Sequence, residues 1–308
     1  MGGILGIYFW SSVVGLAAPL LLASLGETLA QRSGLFTIGI EGFMLGGAFT
    51  SVAVGVWTGN AVAGLFAGLA AGAVLGAVYA LLVVYARADQ VVVGIGFNLV
   101  VLGLTSLFRR TWFEGGMTVP DQSSLAAWDI PGLSQIPWIG GVLFSQSPVV
   151  YVVYLLVPVT SWVLWRSRWG LEMRAAGDGA IAASAQGIPV LSVRFWTMVV
   201  NGALCGTAGA ILVLVEAGGV FADNITSGRG YLALALTMFA RWLPWRVLVG
   251  ALVFGAADAL QYIGQAIVGD AIAPALFLMA PYLLALVAWL FMSNKVPGPR
   301  DIGVPLLR

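Results

Sequence analysis

The chain has 308 residues, of which 60% are hydrophobic and only 9% are charged, and its net charge is +1. Soluble domains carry about 25% charged residues, so the composition excludes a water-soluble fold and predicts an all-α polytopic membrane protein. Histidine is absent and there is one cysteine, which removes the commonest metal ligand and excludes a disulfide framework. We therefore expect no metal site.

Apolar stretches long enough to cross a membrane recur along the chain. A helix needs about 20 residues to cross a bilayer, which predicts about nine spans, among them broken or re-entrant ones. The start, MGGILGIYFW, lacks the basic region of a signal peptide and is expected to enter the first span. The predicted spans lie near Ile4–Leu25, Phe36–Val56, Ala61–Val84, Val91–Phe108, Pro148–Trp165, Phe195–Val215, Tyr231–Ala240 (short), Val247–Ile263 and Leu276–Met292.

The basic residues predict the orientation of these spans. With the N-terminus outside, 11 of the 14 lysines and arginines fall in cytoplasmic segments, whereas Arg109, Arg110 and Arg229 fall outside. The opposite orientation reverses that balance, so the N-terminus is predicted outside and the C-terminus inside. Residues 1–308 then form a single transmembrane domain, with an external loop at 109–147 and a cytoplasmic loop at 166–194.

The stretch Gln31–Gly47 lies where a span is expected, yet it contains five glycines and the carboxylate of Glu41. Each glycine costs roughly 0.8–1 kcal/mol against alanine inside a helix. Backbone leaves a helix at membrane depth only where protein or a water-filled cavity surrounds it. We interpret the stretch as a broken or re-entrant helix that lines a polar path, with Glu41 near its turn. The alternative is an ordinary packing helix whose Glu41 bonds to a neighbour.

A second glycine-rich break is predicted at Gly228–Ala233, before the short seventh span. By the predicted topology the first break lies toward the cytoplasm and the second toward the outside. This arrangement is typical of an inverted-topology repeat, in which spans one to four correspond to spans six to nine. Chance similarity between two apolar halves is the alternative. The third span also has a row of small residues, which allows close helix packing in lipid: Gly64, Gly68, Gly72 and Gly76.

The candidate substrate-path residues are polar groups near these breaks: Thr37, Glu41, Asn98 and Arg229. They could bond hydroxyls or ring nitrogens of an uncharged solute, although each could instead be structural, and Arg229 could cap carbonyls at its own break. Glu216 and Asp258 are further candidates, with Glu216 expected at the outer interface. No catalytic residues are predicted, because the sequence has no cysteine–histidine cluster and no serine–histidine–aspartate set.

Four stretches, in order along the chain, carry a resemblance to a known family. They are LLASLGETLAQRSGLFTIGIEGFMLGGAF from Leu21, the loop GLEMRAAGD from Gly170 that continues to Ile188, the segment Gly228–Ala235, and APYLL from Ala280. With them the chain resembles the permease subunits of ABC importers in the branched-chain amino acid/ribose permease superfamily. Within that superfamily it is most similar to the nucleoside and simple-sugar branch.

The resemblance implies a role for the cytoplasmic loop and a set of partners. The loop would seat in an ABC ATPase subunit through Arg174, Gly177, Asp178, Ala182, Ala183 and Gly187. ATP and magnesium would be bound by that subunit, and no cofactor by this chain. A second permease subunit, usually a different chain, and a periplasmic or lipid-anchored substrate-binding protein would complete an importer in the bacterial inner membrane. The external loop, with Trp112, Glu114, Asp121 and Trp128, would dock the binding protein, or would simply cover the helix ends.

The sequence departs from the family pattern at several positions. Thr37 stands where many relatives have asparagine, and Gly179-Ala180 stands where they have Asn-Pro. The departure at Thr37 leaves the solute open among nucleosides, purine bases, pentoses and polyols, whereas the departure in the loop would retune the ATPase contact without abolishing it. A proton-coupled secondary transporter that uses Glu41 or Asp258, and a membrane scaffold without transport activity, are the alternatives to an importer permease.

Overall fold

The computed structural model describes residues 2–113, 116–120, 125–129, 131–132, 134, 136, 139–268, 279, 282–287 and 298–304. Within these residues α-helices form the fold, as the composition predicts. Glu114, Asp121 and most of the ninth predicted span lie outside the described residues.

Most helices follow one another with short connections, and the longest connection, residues 113–138, lies between the fourth and the fifth helix. Two of them end in a π-helical turn, Leu81–Tyr85 after α3 and Leu212–Glu216 after α9. A pair of two-residue strands, β1 (Trp128–Asp129) and β2 (Ser145–Gln146), is antiparallel. The helices are α1 (Gly2–Arg32), α2 (Ile40–Thr58), α3 (Ala61–Ala80), α4 (Gln90–Trp112), α5 (Ile139–Leu143), α6 (Pro148–Arg166), α7 (Arg168–Asp178), α8 (Ala180–Ala185), α9 (Val190–Ile211), α10 (Arg229–Phe239) and α11 (Pro244–Val268).

Among the described residues, 6 helices are long and apolar enough to cross a membrane, and they correspond to the first six predicted spans. The seventh predicted span is α10, which has 11 residues. At 1.5 Å per residue it is about 16 Å long, roughly half of the bilayer core. It is therefore a half-length helix, as its short apolar stretch indicates. Helix α11 covers the eighth predicted span, and the total of nine spans stays a prediction.

The helices differ in how much of their surface other helices cover. In the most apolar part of α1, 89% of the residues are buried inside the protein, whereas in α4 only 22% are buried. Helix α4 exposes large apolar side chains along one face, such as Val92, Leu99 and Leu107. We infer that α1 is central and that α4 faces lipid, since lipid is the solvent for such a face.

Helices α3 and α9 cross at a contact made by glycines. A Cβ atom on Gly72 would lie 2.7 Å from the Cα of Gly206, and one on Gly76 would lie 3.1 Å from the Cα of Gly202. No real Cβ comes as close as the first of these distances, so the two backbones touch directly. The glycine row that the sequence places in the third span therefore has the packing role expected of it.

The two ends of the helix bundle are distinct. At one end, Arg109 at the end of α4 forms an ion pair with Asp223, and Thr118 pairs with Val220. At the other end, the segment 298–304 lies against α7 and the end of α1. This grouping places the residues predicted outside together and those predicted inside together, as the arginine distribution indicates.

Candidate functional site

The first predicted break is present between α1 and α2. Gly34 has a φ of +89°, a left-handed conformation that ends α1, and Leu35 N–H donates back to Ala30 O at 3.1 Å. The next two N–H groups are satisfied by side chains rather than by the helix. Phe36 N–H donates to Gln90 Oε1 at 2.6 Å, and Thr37 N–H donates to a carboxylate of α1 at 3.2 Å. The break is thus enclosed by protein, which backbone at membrane depth requires.

The second predicted break is also present, between the π-helical turn of α9 and the start of α10. Gly228 has a φ of +84° and precedes the first residue of α10. Asn224 and Ser227 also have positive φ values. Glycine and asparagine adopt this conformation readily, whereas serine does so less often.

Glu41 joins the two breaks, although they are far apart in the sequence. Its Oε1 accepts hydrogen bonds from Thr226 Oγ1 at 2.6 Å and from Gly228 N–H at 2.7 Å. Its Oε2 accepts one from Gly230 N–H at 2.8 Å. The carboxylate therefore binds the N–H groups that the first turn of α10 leaves without a helical partner. We call this group, Glu41 with Thr226, Gly228 and Gly230, the inner joint.

Both readings of the first break hold in part. The helix is broken, as predicted, and its carboxylate also bonds to a neighbour, as the alternative stated. The neighbour is the second break itself. A Cβ on Gly230 would lie 2.7 Å from Glu41 Oε2, so this position requires glycine. The two breaks therefore contact each other.

Asn98 of α4 contacts both breaks as well. Its Oδ1 accepts from Gly42 N–H at 2.8 Å, and its Nδ2 donates to Ile38 O and to Tyr231 Oη, each at 2.9 Å. The side chain thereby connects α4 to the start of α2 and to the first turn of α10. Asn98 and Glu41, chosen separately from the sequence, are brought together here.

Thr37 lies apart from Glu41, in a second buried cluster. Its hydroxyl donates to Met198 Sδ at 3.7 Å, and its N–H is held by Glu27 Oε1. Glu27 also accepts from Gln31 Nε2 and Asn201 Nδ2, each at 3.0 Å. Sequence reasoning missed Glu27, although a carboxylate within an apolar span is itself a signal of a polar cluster.

Arg229 forms ion pairs with two carboxylates. Its guanidinium lies 3.1 Å from Glu216 Oε2 and 3.4 Å from Asp258 Oδ2. These groups and Tyr282 line a cavity of about 210 Å³. Glu216 terminates the α9 span as expected, but its side chain is only 9% exposed because Arg229 and the surrounding helices cover it.

The predicted coupling residues lie on or beside α7 and α8. Gly177 is buried and packs against the backbone of α1 and of Gly34, and Ala183 lies on the buried face of α8. Arg174 lies over the Trp165 ring at 4.7 Å. The remaining coupling residues are exposed: Asp178, Ala182 and Gly187. Two apolar side chains beside them are strongly exposed, Leu171 at 59% and Ile181 at 72%.

A buried arginine ties these helices to the first break. Arg194 Nε donates to Ser33 O at 3.0 Å, its Nη2 to Ala176 O at 3.2 Å, and its Nη1 to Val304 O at 2.9 Å. We call this group the cytoplasmic joint. It binds carbonyls at the ends of α1 and α7, where helices leave acceptors unpaired.

The C-terminal segment completes this contact. Asp301 Oδ2 accepts from Ala180 N–H at 2.7 Å, at the start of α8, and Asp301 N–H donates to Gly177 O at 2.9 Å. Gly303 N–H donates to Gly34 O at 2.9 Å. Sequence reasoning missed Arg194 and Asp301, because neither lies in a pattern that names its partner. Among the described residues, no group of three or more acidic, cysteine or histidine side chains could hold a metal ion.

Comparisons with known proteins match almost the whole chain. A family model described as branched-chain amino acid transport system / permease component matches residues 9–289. The putative glucose ABC transporter permease protein of Haloferax volcanii is 36% identical, over 83% of this chain and 78% of that protein. The guanosine ABC transporter permease protein of Bacillus subtilis is 32% identical, over 95% of this chain and 94% of that protein. The nucleoside ABC transporter permease protein of Lactococcus lactis is 30% identical over the same shares.

Proposed function

We propose, from the premise that this chain belongs to the family of permease components of branched-chain amino acid transport systems, that it is the membrane permease of an ATP-driven importer for nucleosides or simple sugars. The observation that carries the proposal is the similarity to the guanosine permease, which spans 95% of this chain and 94% of that relative. The relatives are transport subunits, and we assign no catalytic residue to this chain.

The charges of the site favour neutral solutes. Guanosine and glucose, for which two of the relatives are named, are uncharged and rich in hydroxyls. The carboxylate at the inner joint and the mixed charges around Arg229 offer acceptors and donors without a net positive field. A phosphorylated or carboxylated solute would meet repulsion there.

The substrate path is proposed to run past the breaks, where Thr37, Glu41, Asn98 and Arg229 lie. Since Glu41 and Asn98 connect the starts of α2 and α10, a displacement of either helix moves the other. This connection suits alternating access by rigid-body rocking. The inverted repeat and the nine spans belong to the same proposal, because transporters built from such repeats hold solute where broken helices meet.

ATP would act through a partner subunit. The exposed face of α7 and α8, with Leu171 and Ile181, offers apolar surface on the end of the molecule predicted to be cytoplasmic. We assign it to an ABC ATPase that binds ATP and magnesium, with Arg174, Gly177, Asp178, Ala182, Ala183 and Gly187 in or beside the contact. The cytoplasmic joint would carry movement of these helices to the first break.

Further partners follow from the same proposal. A second permease subunit, a different chain, would pair with this one in the bacterial inner membrane. A periplasmic or lipid-anchored substrate-binding protein would deliver solute to the external loop at 109–147. The loop is held to the rest of the outer end by the pairing of Thr118 with Val220.

The first test is purification of this chain from native membranes in mild detergent, with mass spectrometry of the proteins that accompany it. We expect an ABC ATPase and a second permease. Recovery of the chain alone, or only with copies of itself, would contradict the proposal and favour a proton-coupled secondary transporter.

The second test changes the proposed ATPase contact. Ala182 and Ala86 are both exposed on the end predicted to be cytoplasmic, but only Ala182 lies on α8. Ala182→Glu is expected to lower both co-purification of the ATPase and solute uptake, whereas Ala86→Glu serves as the matched control and leaves both unchanged. Equal behaviour of the two variants would remove α8 from the contact.

A further inference from the structure

A cavity of about 550 Å³ lies between α10 and α11, next to the turn that joins the two helices. This turn lies at the end of the bundle predicted to be cytoplasmic, because its buried Trp242 reaches the end of α1. The indole N–H of Trp242 donates to Gln31 Oε1 at 2.6 Å. The cavity is therefore in the cytoplasmic half of the membrane.

The wall of the cavity on α11 is apolar and exposed. Trp245, Val249 and Val253 recur every four residues, on one face of the helix, and are 57%, 53% and 47% exposed. Leu236 and Phe239 of α10 also line the cavity. Large apolar side chains on the exposed face of a membrane helix contact lipid, so the cavity is open to the bilayer.

The cavity has the length of one leaflet. Its lining on α11 runs from Trp245 to Phe254, about 14 Å along the axis at 1.5 Å per residue, and half of the hydrocarbon core is about 15 Å. Over that length, about 550 Å³ gives a mean cross-section of roughly 40 Å², half that of a helix about 10 Å in diameter. The space therefore suits extended hydrocarbon chains and is too narrow for a further helix.

Two arginines line the same cavity at its cytoplasmic end, Arg241 in the turn and Arg246 in the first turn of α11. Arg241 is exposed, and the guanidinium of Arg246 lies over the Trp245 ring at 5.1 Å. Neither takes part in the ion pairs found among the described residues, and none of the described lining residues is acidic. The electropositive start of α11 adds to their charge. An anion is therefore favoured at this end.

We propose that the cavity binds an anionic phospholipid of the cytoplasmic leaflet, with its phosphate at Arg241 and Arg246 and its acyl chains along Val249 and Val253. Basic pockets between membrane helices on the cytoplasmic side suit such headgroups. Trp245 lies where headgroup and acyl chains meet, which is the position that indole rings favour. The inference goes beyond the proposed function, since it requires the predicted orientation in the membrane but neither the ATPase nor a particular solute.

The test titrates the purified permease complex, in detergent, with dioleoyl phosphatidylglycerol or with dioleoyl phosphatidylcholine, and counts bound lipids by native mass spectrometry. We expect phosphatidylglycerol to bind about tenfold more tightly, because phosphatidylcholine has no net charge. Arg241→Gln and Arg246→Gln should each raise the Kd of phosphatidylglycerol about fivefold, the usual contribution of one arginine near an anionic headgroup.

Arg87→Gln is the matched control for the arginine variants. Arg87 is exposed at the same end of the bundle and lies outside the cavity lining. Its φ of +57° is also close to the +55° of Arg241, so the two substitutions meet the same backbone conformation. We expect Arg87→Gln to bind both lipids as the wild type does.

A second pair of variants tests the apolar part of the site without touching the arginines. Val253→Trp fills the cavity and is expected to abolish binding of phosphatidylglycerol. Val152→Trp on α6 is its control, because Val152 is 55% exposed and lies outside the lining. Thermal unfolding of each sample shows whether a variant is folded, and either pair decides the question if the other is unstable.

Three results would overturn the proposal. The first is equal binding of the two lipids, or arginine variants that bind as Arg87→Gln does. The second is displacement of the lipid by excess inorganic phosphate, which carries charge but no acyl chain. The third is binding of neither lipid by the wild-type complex, which would leave another subunit as the occupant of the cavity. The importer proposal stands or falls separately, on the co-purified ATPase.

Discussion

In the inner joint and in the cytoplasmic joint a charged side chain binds unpaired backbone groups at helix ends, but the two charges are opposite. At the inner joint, Glu41 accepts from two backbone N–H groups at the start of α10. At the cytoplasmic joint, Arg194 donates to carbonyls at the ends of α1 and α7. Each charged side chain matches the helix end that it binds, since helix N-termini are electropositive and C-termini electronegative.

The two joints differ in whether water can bind the exposed backbone groups once the charged side chain is removed. By the predicted topology α10 ends at the cytoplasmic surface, so its 11 residues place its start about 16 Å into a hydrocarbon core of about 30 Å, where little water replaces a lost acceptor. Arg194 lies at the end predicted to be cytoplasmic, where water can enter once the side chain is gone. We therefore expect changes at the inner joint to cost more than the same kind of change at the cytoplasmic joint.

Glu41→Ala is expected to have the largest effect. It leaves buried N–H donors of α10 without an acceptor, which should destabilise the protein by roughly 3 kcal/mol or more. Thermal unfolding in detergent, followed by tryptophan fluorescence, measures the loss, and Glu172→Ala on α7 is the control with little expected change. Lost uptake with an unchanged unfolding temperature would instead make Glu41 a solute contact without a structural role.

Arg194→Ala should come next, at about 2 kcal/mol, because three carbonyl acceptors lose their donor at once. Arg194→Lys should recover part of the stability, since one ammonium group cannot reproduce the planar guanidinium. The same unfolding assay tests both, with exposed Arg168→Ala as the control. A larger effect at Arg194 than at Glu41 would reverse the order of the two joints.

Asp301→Ala is expected to cost about 1 kcal/mol, the usual loss when a helix start loses its capping acceptor. Asp301→Asn keeps an acceptor for Ala180 N–H and should stay close to wild type. If the two variants unfold at the same reduced temperature, the charge of Asp301 matters more than the cap.

The ion pair between Arg109 and Asp223 should contribute least, because both side chains are about a third exposed. The hydrogen bond from Arg109 holds the pKa of Asp223 below its usual range. Its stabilisation is therefore present at neutral pH and is lost as the pH falls below about 4, through the lowered pKa of the folded state. The difference in unfolding temperature between wild type and Asp223→Asn should shrink over that range, and a constant difference would contradict it.

The sequence was most informative where glycine dictated the backbone. The breaks at Gly34 and Gly228, the glycine row of α3 and the short length of α10 follow from local residue types, and the structure has all of them. What no local pattern could supply was pairing across the chain. Glu41 and Gly228 are separated by 187 positions, so their hydrogen bond depends on the packing of whole helices.

The polar residues of the candidate site illustrate the same limit. Thr37 and Glu41 are near neighbours in sequence but join different clusters, because the break turns the chain between them. Arg229 forms ion pairs with Glu216 and Asp258, which the packing of the end of α9 and of α11 brings close to it. Asp301 lies in a short polar segment whose contact with α8 has no sequence signature.

The glycine crossing of α3 and α9 has a mechanical consequence. Where Gly72 meets Gly206, the helices touch backbone to backbone. At most helix crossings, interlocked side chains would have to change rotamer before one helix could rotate against the other. Glycine has no side chain, so this barrier is absent here. The two helices can therefore rotate against each other at this crossing while the distance between them stays the same. A methyl group added to either glycine would separate the two helices and oppose this rotation.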